Sequence, residues 1–244
     1  MKSTFFNKPL EFSIDILGDS WRQGDVVKGS VSIKNHSAED IDLSEYGIFL
    51  CRGNAKKIKA QDSKGLEIVE QVYFSNLERN EFSFDISLNS PITEKSAGPY
   101  IVCAKKNELL SGQHLIMQVS PGENISKVIE ILENFLRFKV KTIKSKKSGI
   151  EYTINIPSSK EYSSVTGFKI LVEYSDKNLN LSYQFKTKKL AFDGGNTTTK
   201  DETKTLKYEL APSDYLFYGE SVDQDKMIAH FNEVLDQVKL KPIV

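Results

Sequence analysis

Leu10, Phe12, Ile14 and Ile16 alternate with Glu11, Ser13 and Asp15, a period of two that predicts a β-strand with one buried face. Downstream, Gly24-Asp25 punctuates the chain before Val27, Val31 and Ile33, which share one face of a second strand. Glycine supplies the positive φ that a tight turn requires, and an aspartate bonds its own backbone two residues on, so Trp21 to Ile33 predicts a hairpin entering at the edge of a β-sandwich. Ile41 to Cys51 is mostly apolar, and Glu67 to Phe74 offers another strand. Phe82, Phe84, Ile86 and Leu88 alternate strictly with Ser83, Asp85 and Ser87, and Tyr100 to Ala104 reads as a further strand. Short alternating runs separated by turn residues predict a sandwich or barrel for the first half.

The periodicity then changes. Ile125, Val128, Ile129, Leu132, Phe135 and Leu136 recur at three- and four-residue spacing, which predicts an amphipathic helix over residues 121–138. Ser120 or Asn124 is its expected cap, with Pro121 in the first turn and Glu123 closing a capping box. Beyond it, period two returns in Ile150, Tyr152 and Ile154, in Val165 to Tyr174, and in Leu179, Leu181, Tyr183 and Phe185, with a hairpin at Ser175-Asp176-Lys177-Asn178. Residues 194–204 read as a polar, threonine-rich loop. A second helix follows, with a capping box at Ser221 to Gln224 and a stripe of Met227, Ile228, Phe231, Val234, Leu235 and Val238.

Composition changes this picture little. A chain of 244 residues with 39% hydrophobic and 27% charged content is that of a folded globular protein of one large or two ordinary domains. Thirty-three basic residues balance 33 acidic ones, so no global field draws the protein onto nucleic acid or an anionic membrane. The first twelve residues lack the apolar core of a secretory signal, and no run approaches the roughly 18 apolar residues of a membrane span. The expectation is a cytoplasmic protein with no integral membrane association. Cys51 and Cys103 have neither Cys-x-x-Cys nor zinc-ligand spacing and read as reduced core thiols.

Gly24-Asp25-x-Val27-x-Gly29-x-Val31, preceded by the strand Leu10 to Leu17, resembles the opening of arrestin-like domains, including those of bacterial sporulation-control proteins. The strand Asn80 to Ile86, followed by Ser90-Pro91-Ile92-Thr93 and Tyr100-Ile101-Val102, is similar to a second element of that family. The amphipathic helix leading into the basic strand Phe138 to Ile143 resembles the family's linker, and the order of strands up to Lys186-Thr187-Lys188-Lys189 and Gly194-Gly195 resembles its second domain. The arginines of the corresponding family segment are absent here. The resemblance covers roughly residues 5–195. It implies an all-β fold of two tandem arrestin-like β-sandwich domains, residues 1–120 and 121–244, with a linker helix opening the second and a C-terminal helix closing it. It also implies a scaffold or adaptor in place of an enzyme.

The residues that could carry chemistry agree with that implication. His36, His114 and His230 are far apart in sequence and fit no metal-ligand spacing; they read as a loop residue, a strand residue and a neighbour of the last helix's stripe. No nucleophile elbow, phosphate loop or dinucleotide fingerprint occurs. Asp176-x-Asn178-x-Asn180 imitates a calcium loop, but Leu181 stands where glycine is needed and Thr187 where a carboxylate is needed. No catalytic residue, metal ligand or cofactor is expected. One dense single-sign cluster stands out: Arg137, Lys139, Lys141, Lys144, Lys146 and Lys147. In a strand, Arg137, Lys139 and Lys141 would share the face opposite Phe138, Val140 and Thr142 and form a basic ribbon. A solvated strand face explains such a ribbon, as does a binding surface for an acidic protein or a phosphoinositide-like head group. Nucleic acid would call for interleaved aromatics, which are missing. The expected function is a cytoplasmic adaptor or regulatory scaffold acting through protein contacts, with a small-molecule or lipid-binding sandwich as the alternative.

Overall fold

The computed structural model describes residues 1–175, 177–193 and 196–239 and divides them into two compact units, Met1–Pro121 and Gly122 onward. Asp176, Gly194 and Gly195, invoked above in a hairpin, a calcium-loop imitation and a glycine pair, lie outside the described residues.

In the first unit the strands are β1 (Lys2–Asn7), β2 (Leu10–Ile16), β3 (Trp21–Arg22), β4 (Val26–Asn35) and β5 (Tyr46–Asn54). A short helix α1 (Ala55–Lys59) precedes β6 (Leu66–Tyr73), β7 (Glu81–Asp85), β8 (Ala97–Lys105), β9 (Leu115–Ile116) and β10 (Val119–Ser120). Eight of these strands form two four-stranded sheets, ordered β1-β2-β4-β7 and β6-β5-β8-β9, and β3 pairs with β10. Between the sheets, Phe5, Phe12, Ile14, Val27, Val31 and Phe84 meet Ile48, Leu50, Ile101 and Cys103 in one core, as alternation on both inner faces requires. The second sheet's other face carries a smaller cluster of Phe49, Cys51, Val102, Ala104 and Leu109. Cys51 and Cys103 therefore sit on opposite faces of that sheet, unpaired and buried.

Several local expectations are corrected. β4 is an interior strand between β2 and β7, so Gly24-Asp25 feeds the middle of a sheet and not its edge. Gly24 has φ +98°, but the Asp25 carboxylate accepts from the amide of Arg22, 2.7 Å away, behind it in the chain. Leu88 is 39% exposed because β7 ends at Asp85. His114 precedes β9, where its Nε2 lies 2.8 Å from the Leu109 carbonyl oxygen. Ser120 does not cap the next helix: it belongs to β10, which pairs in parallel with β3.

The second unit starts with α2 (Glu123–Asn134), whose N-cap is Gly122 with no side-chain capping bond. There follow β11 (Lys139–Ser145), β12 (Ile150–Asn155), β13 (Val165–Ser175), β14 (Asn178–Asp193) and β15 (Asn196–Leu210). They make one antiparallel sheet in sequence order. The stretch expected to be a loop is thus largely the start of β15: Thr198 and Thr199 are exposed, so the strand shows no apolar face there, and the ladder to β14 holds it. A short α3 (Pro212–Tyr215), the small hairpin β16 (Leu216–Phe217) and β17 (Ser221–Val222), and α4 (Gln224–Asp236) complete the unit. Tyr152, Phe168, Ile170, Leu181, Tyr183 and Phe185 are buried on the sheet's inner face. Phe231 of α4 packs edge-on against Tyr183, so a helix, not a second large sheet, covers part of that face. The cap of α4 is Asp223, which accepts from the amides of Asp225 and Lys226, both at 3.1 Å; Ser221 lies in β17 instead.

Candidate functional site

The basic segment grows out of the end of α2. That helix stops at Asn134, and Phe135, expected on its apolar stripe, is 51% exposed. Arg137 takes a left-handed conformation at φ 61°, which turns the chain, and the Phe138 amide donates to the Leu132 carbonyl oxygen at 3.3 Å. Phe138 then anchors the start of β11, edge-on to Tyr162 and Phe168 at 5.6 and 5.7 Å.

All six predicted residues are exposed, but they do not form the expected straight ribbon. Arg137 precedes the strand. A bulge between Val140 and Thr142 inserts Lys141 as an extra residue, and Thr142 consequently pairs with Thr153 on the outer face. Lys139, opposite Asn155, and Lys144, opposite Glu151, share the outer face; Val140 and Ile143, opposite Ile154 and Tyr152, face inward. Lys146 and Lys147 lie at the following turn, closed by the Lys146 amide donating to the Gly149 carbonyl at 2.7 Å.

Two neighbours escaped the sequence reading. Glu151 lies 3.3 Å from Lys146 and 3.2 Å from Lys169 of β13. Partial burial opposes its ionisation, but the hydrogen bonds from the two lysines outweigh that and hold its carboxyl below the ordinary range. Lys169 was legible, because Phe168 and Ile170 alternate around it and point it outward. Glu133 of α2 accepts from the Val140 amide at 2.8 Å, a contact without any sequence signal. Among the described residues, Lys139, Lys141 and Lys144 have no carboxylate within ion-pair distance.

The other candidates remain dispersed. His36 meets Glu11 at 2.8 Å, and His230 meets the Tyr183 hydroxyl at 2.9 Å, so each histidine has its own separate partner. Among the described residues no cluster of acids, histidines and cysteines is arranged to hold a metal. Burial pushes the Cys51 thiol up to about 12 and that of Cys103 well above its ordinary value, which suppresses thiolate chemistry. Two open depressions of about 590 and 600 Å³ lie on the outer face of the first unit's β1-β2-β4-β7 sheet. Lys2, Ser13, Asp15, Ser30 and Glu81 line them together with Leu17 and Phe82, a mixed surface open to solvent.

No family model and no curated protein matches the sequence. Among solved structures, the chain is similar to Spo0M, the sporulation control protein from Bacillus subtilis. The TM-score is 0.62 at 14% identity, over 94% of this chain and 98% of that one. The likeness shows the fold, an all-β arrestin-like architecture. Among the described residues, no helix is long and apolar enough to cross a membrane.

Proposed function

We propose that this protein is a non-enzymatic adaptor or regulatory scaffold, of the sporulation-control kind, that works in the cytoplasm by contacting an acidic protein partner. The observation that carries the reading is the edge strand β11, where Lys139, Lys141 and Lys144 are exposed and unanswered by any acid among the described residues. In a chain whose formal charges cancel, such a cluster is a local electrostatic feature that selects a partner's sign. The separated histidines and suppressed thiols favour a binding protein over an enzyme, and the openness of the two depressions disfavours them as small-molecule or lipid sites.

The test starts with affinity purification of the tagged chain from its native cytosol and measurement of binding kinetics with the partners recovered. Replacing Lys144, Lys146 and Lys147 with glutamate should slow association and flatten its salt dependence, with little change in dissociation. Unchanged association at low salt would show that the cluster is only a solvated face.

A further inference from the structure

We propose that the outer edge of β11, around Ile143, receives an extended segment of the partner as an added antiparallel strand, one in which acidic residues alternate with β-branched apolar ones. The inference rests on the protein-contact reading above and names the shape and chemistry of what is bound. β11 is the terminal strand of its sheet, so one side of its backbone pairs with no strand among the described residues.

The hydrogen-bond pattern fixes which groups face outward. In an antiparallel pair, residues alternate between bonding their neighbour and pointing away from it. The Lys146 amide bonds Gly149 across the hairpin, so counting back along the register points Lys144 toward β12 and Ile143 away from it. Past the bulge, the count points Val140 away as well, and its amide is indeed bonded to Glu133 and not to β12. The fold thus already satisfies one outward amide of this edge with a carboxylate. At Ile143, which is 38% exposed, the outward amide and carbonyl have no partner among the described residues and are open to solvent or to a bound segment.

Side chains specify the rest. A strand laid along this edge would place alternate residues beside Lys139 and Lys144 on the outer face, with Lys169 further across the same face. Its other residues would flank Val140 and Ile143 on the inner face. Carboxylates suit the first row and β-branched apolar groups the second. Edge lysines are also a common protection against strand-to-strand aggregation. That protection repels basic strands and burdens neutral ones, but an acidic strand escapes it, so the same charges that block self-association select the partner.

The probe is a labelled synthetic peptide alternating glutamate and valine, matched in length to β11 and titrated into the full chain by fluorescence anisotropy. Saturable binding is expected, weakened by salt. A peptide of the same composition with its glutamates and valines in separate blocks should bind about tenfold more weakly or worse. N-methylating one alternating set of peptide amides should cost about tenfold or more in affinity, while methylating the other set should cost little. This ligand-side control needs no change in the protein. Replacing Lys139, Lys141 and Lys144 with glutamate should abolish binding, and hydrogen exchange should slow at Ile143 and stay unchanged at Val140, already held by Glu133.

Equal loss or no loss from the two methylated peptides would overturn strand addition, as would tight binding of the block peptide or protection mapped elsewhere. If the peptide fails while the substitutions at Lys144, Lys146 and Lys147 still slow association with a cytosolic partner, the added-strand inference falls and the adaptor reading stands. If those substitutions have no effect either, both fall.

Discussion

Single side chains decide how firmly the frame under the site is held. Phe84 is 2% exposed within the first unit's core, whereas Ser83 beside it points outward, so Phe84→Ala should cost about 3 to 5 kcal/mol and Ser83→Ala little. Chemical denaturation of both variants checks this, and equal midpoints would show the faces to be reversed. Gly149 supports the β11–β12 turn from inside: a Cβ there would run into the Val172 carbonyl oxygen and come within 2.8 Å of Glu173 Cγ. The oxygen belongs to a paired backbone and has little room to move, so Gly149→Ala should destabilise by about 1 to 3 kcal/mol. His230 supplies a pH dependence. Burial holds its imidazole below the ordinary 6.5, against an opposing pull from Glu233 on its own helix, while Tyr183 and Tyr208 face it from β14 and β15. The unfolded chain therefore takes up this proton at a higher pH than the native one. The resulting stability is fully present above pH 6.5 and is lost as pH falls through the lower native value. His230→Gln should flatten that part of the stability profile, measured by denaturation across pH. Glu151, also depressed, acts in a separate and more acidic window below 4.5.

For the elements, the end of α4 and the bulge in β11 matter most. Ser221-x-x-Gln224 has the look of a capping box, but Ser221 is committed to pairing with Phe217, which leaves Asp223 to meet the free amides. Asp223→Ala should lower the thermal midpoint, while Ser221→Ala should leave it nearly unchanged. The reverse ranking would restore Ser221 as the cap. In β11 the bulge sets Lys141 apart from Lys139, with which a regular strand would align it, and brings Lys144 to the face of Lys139 instead. Deleting Lys141 should remove the bulge and restore regular alternation with Lys139, Thr142 and Lys144 still outward and Val140 and Ile143 still inward. The expected result is a second unit of nearly unchanged stability, measured by denaturation, with an altered exchange pattern along β12; a large loss of stability would show that the bulge itself is needed.

Each unit of the molecule has a core of its own, and the first is closed by its last strand. Met117 and Val119 are buried in that core, and β10 pairs with β3 near the start of the chain. A fragment of residues 1–121 should therefore give a dispersed amide spectrum, and one ending at Ile116 a collapsed one. Two poor spectra would mean that the first unit does not fold alone. The whole chain should show a β-dominated circular dichroism spectrum; a helix-dominated one would contradict the fold.

The sequence by itself determined which residues face inward. The alternation at Leu10 to Ile16, Phe82 to Ile86 and Leu179 to Phe185 reappears as buried side chains, because period two is a local consequence of strand geometry under one-sided burial. It also revealed that the lysines of residues 139–147 are exposed, since long charged side chains are rarely buried. Only the tertiary structure decided strand order, the interior place of β4, the real caps, the strand within the threonine-rich segment and the bulge at Lys141. These depend on backbone pairing between distant segments, and backbone amides are alike in every residue except proline, so the sequence carries little record of which one bonds which. The same reason hid Glu133 and Glu151, whose roles come from the Val140 amide and the Lys146 and Lys169 side chains that folding brings to them.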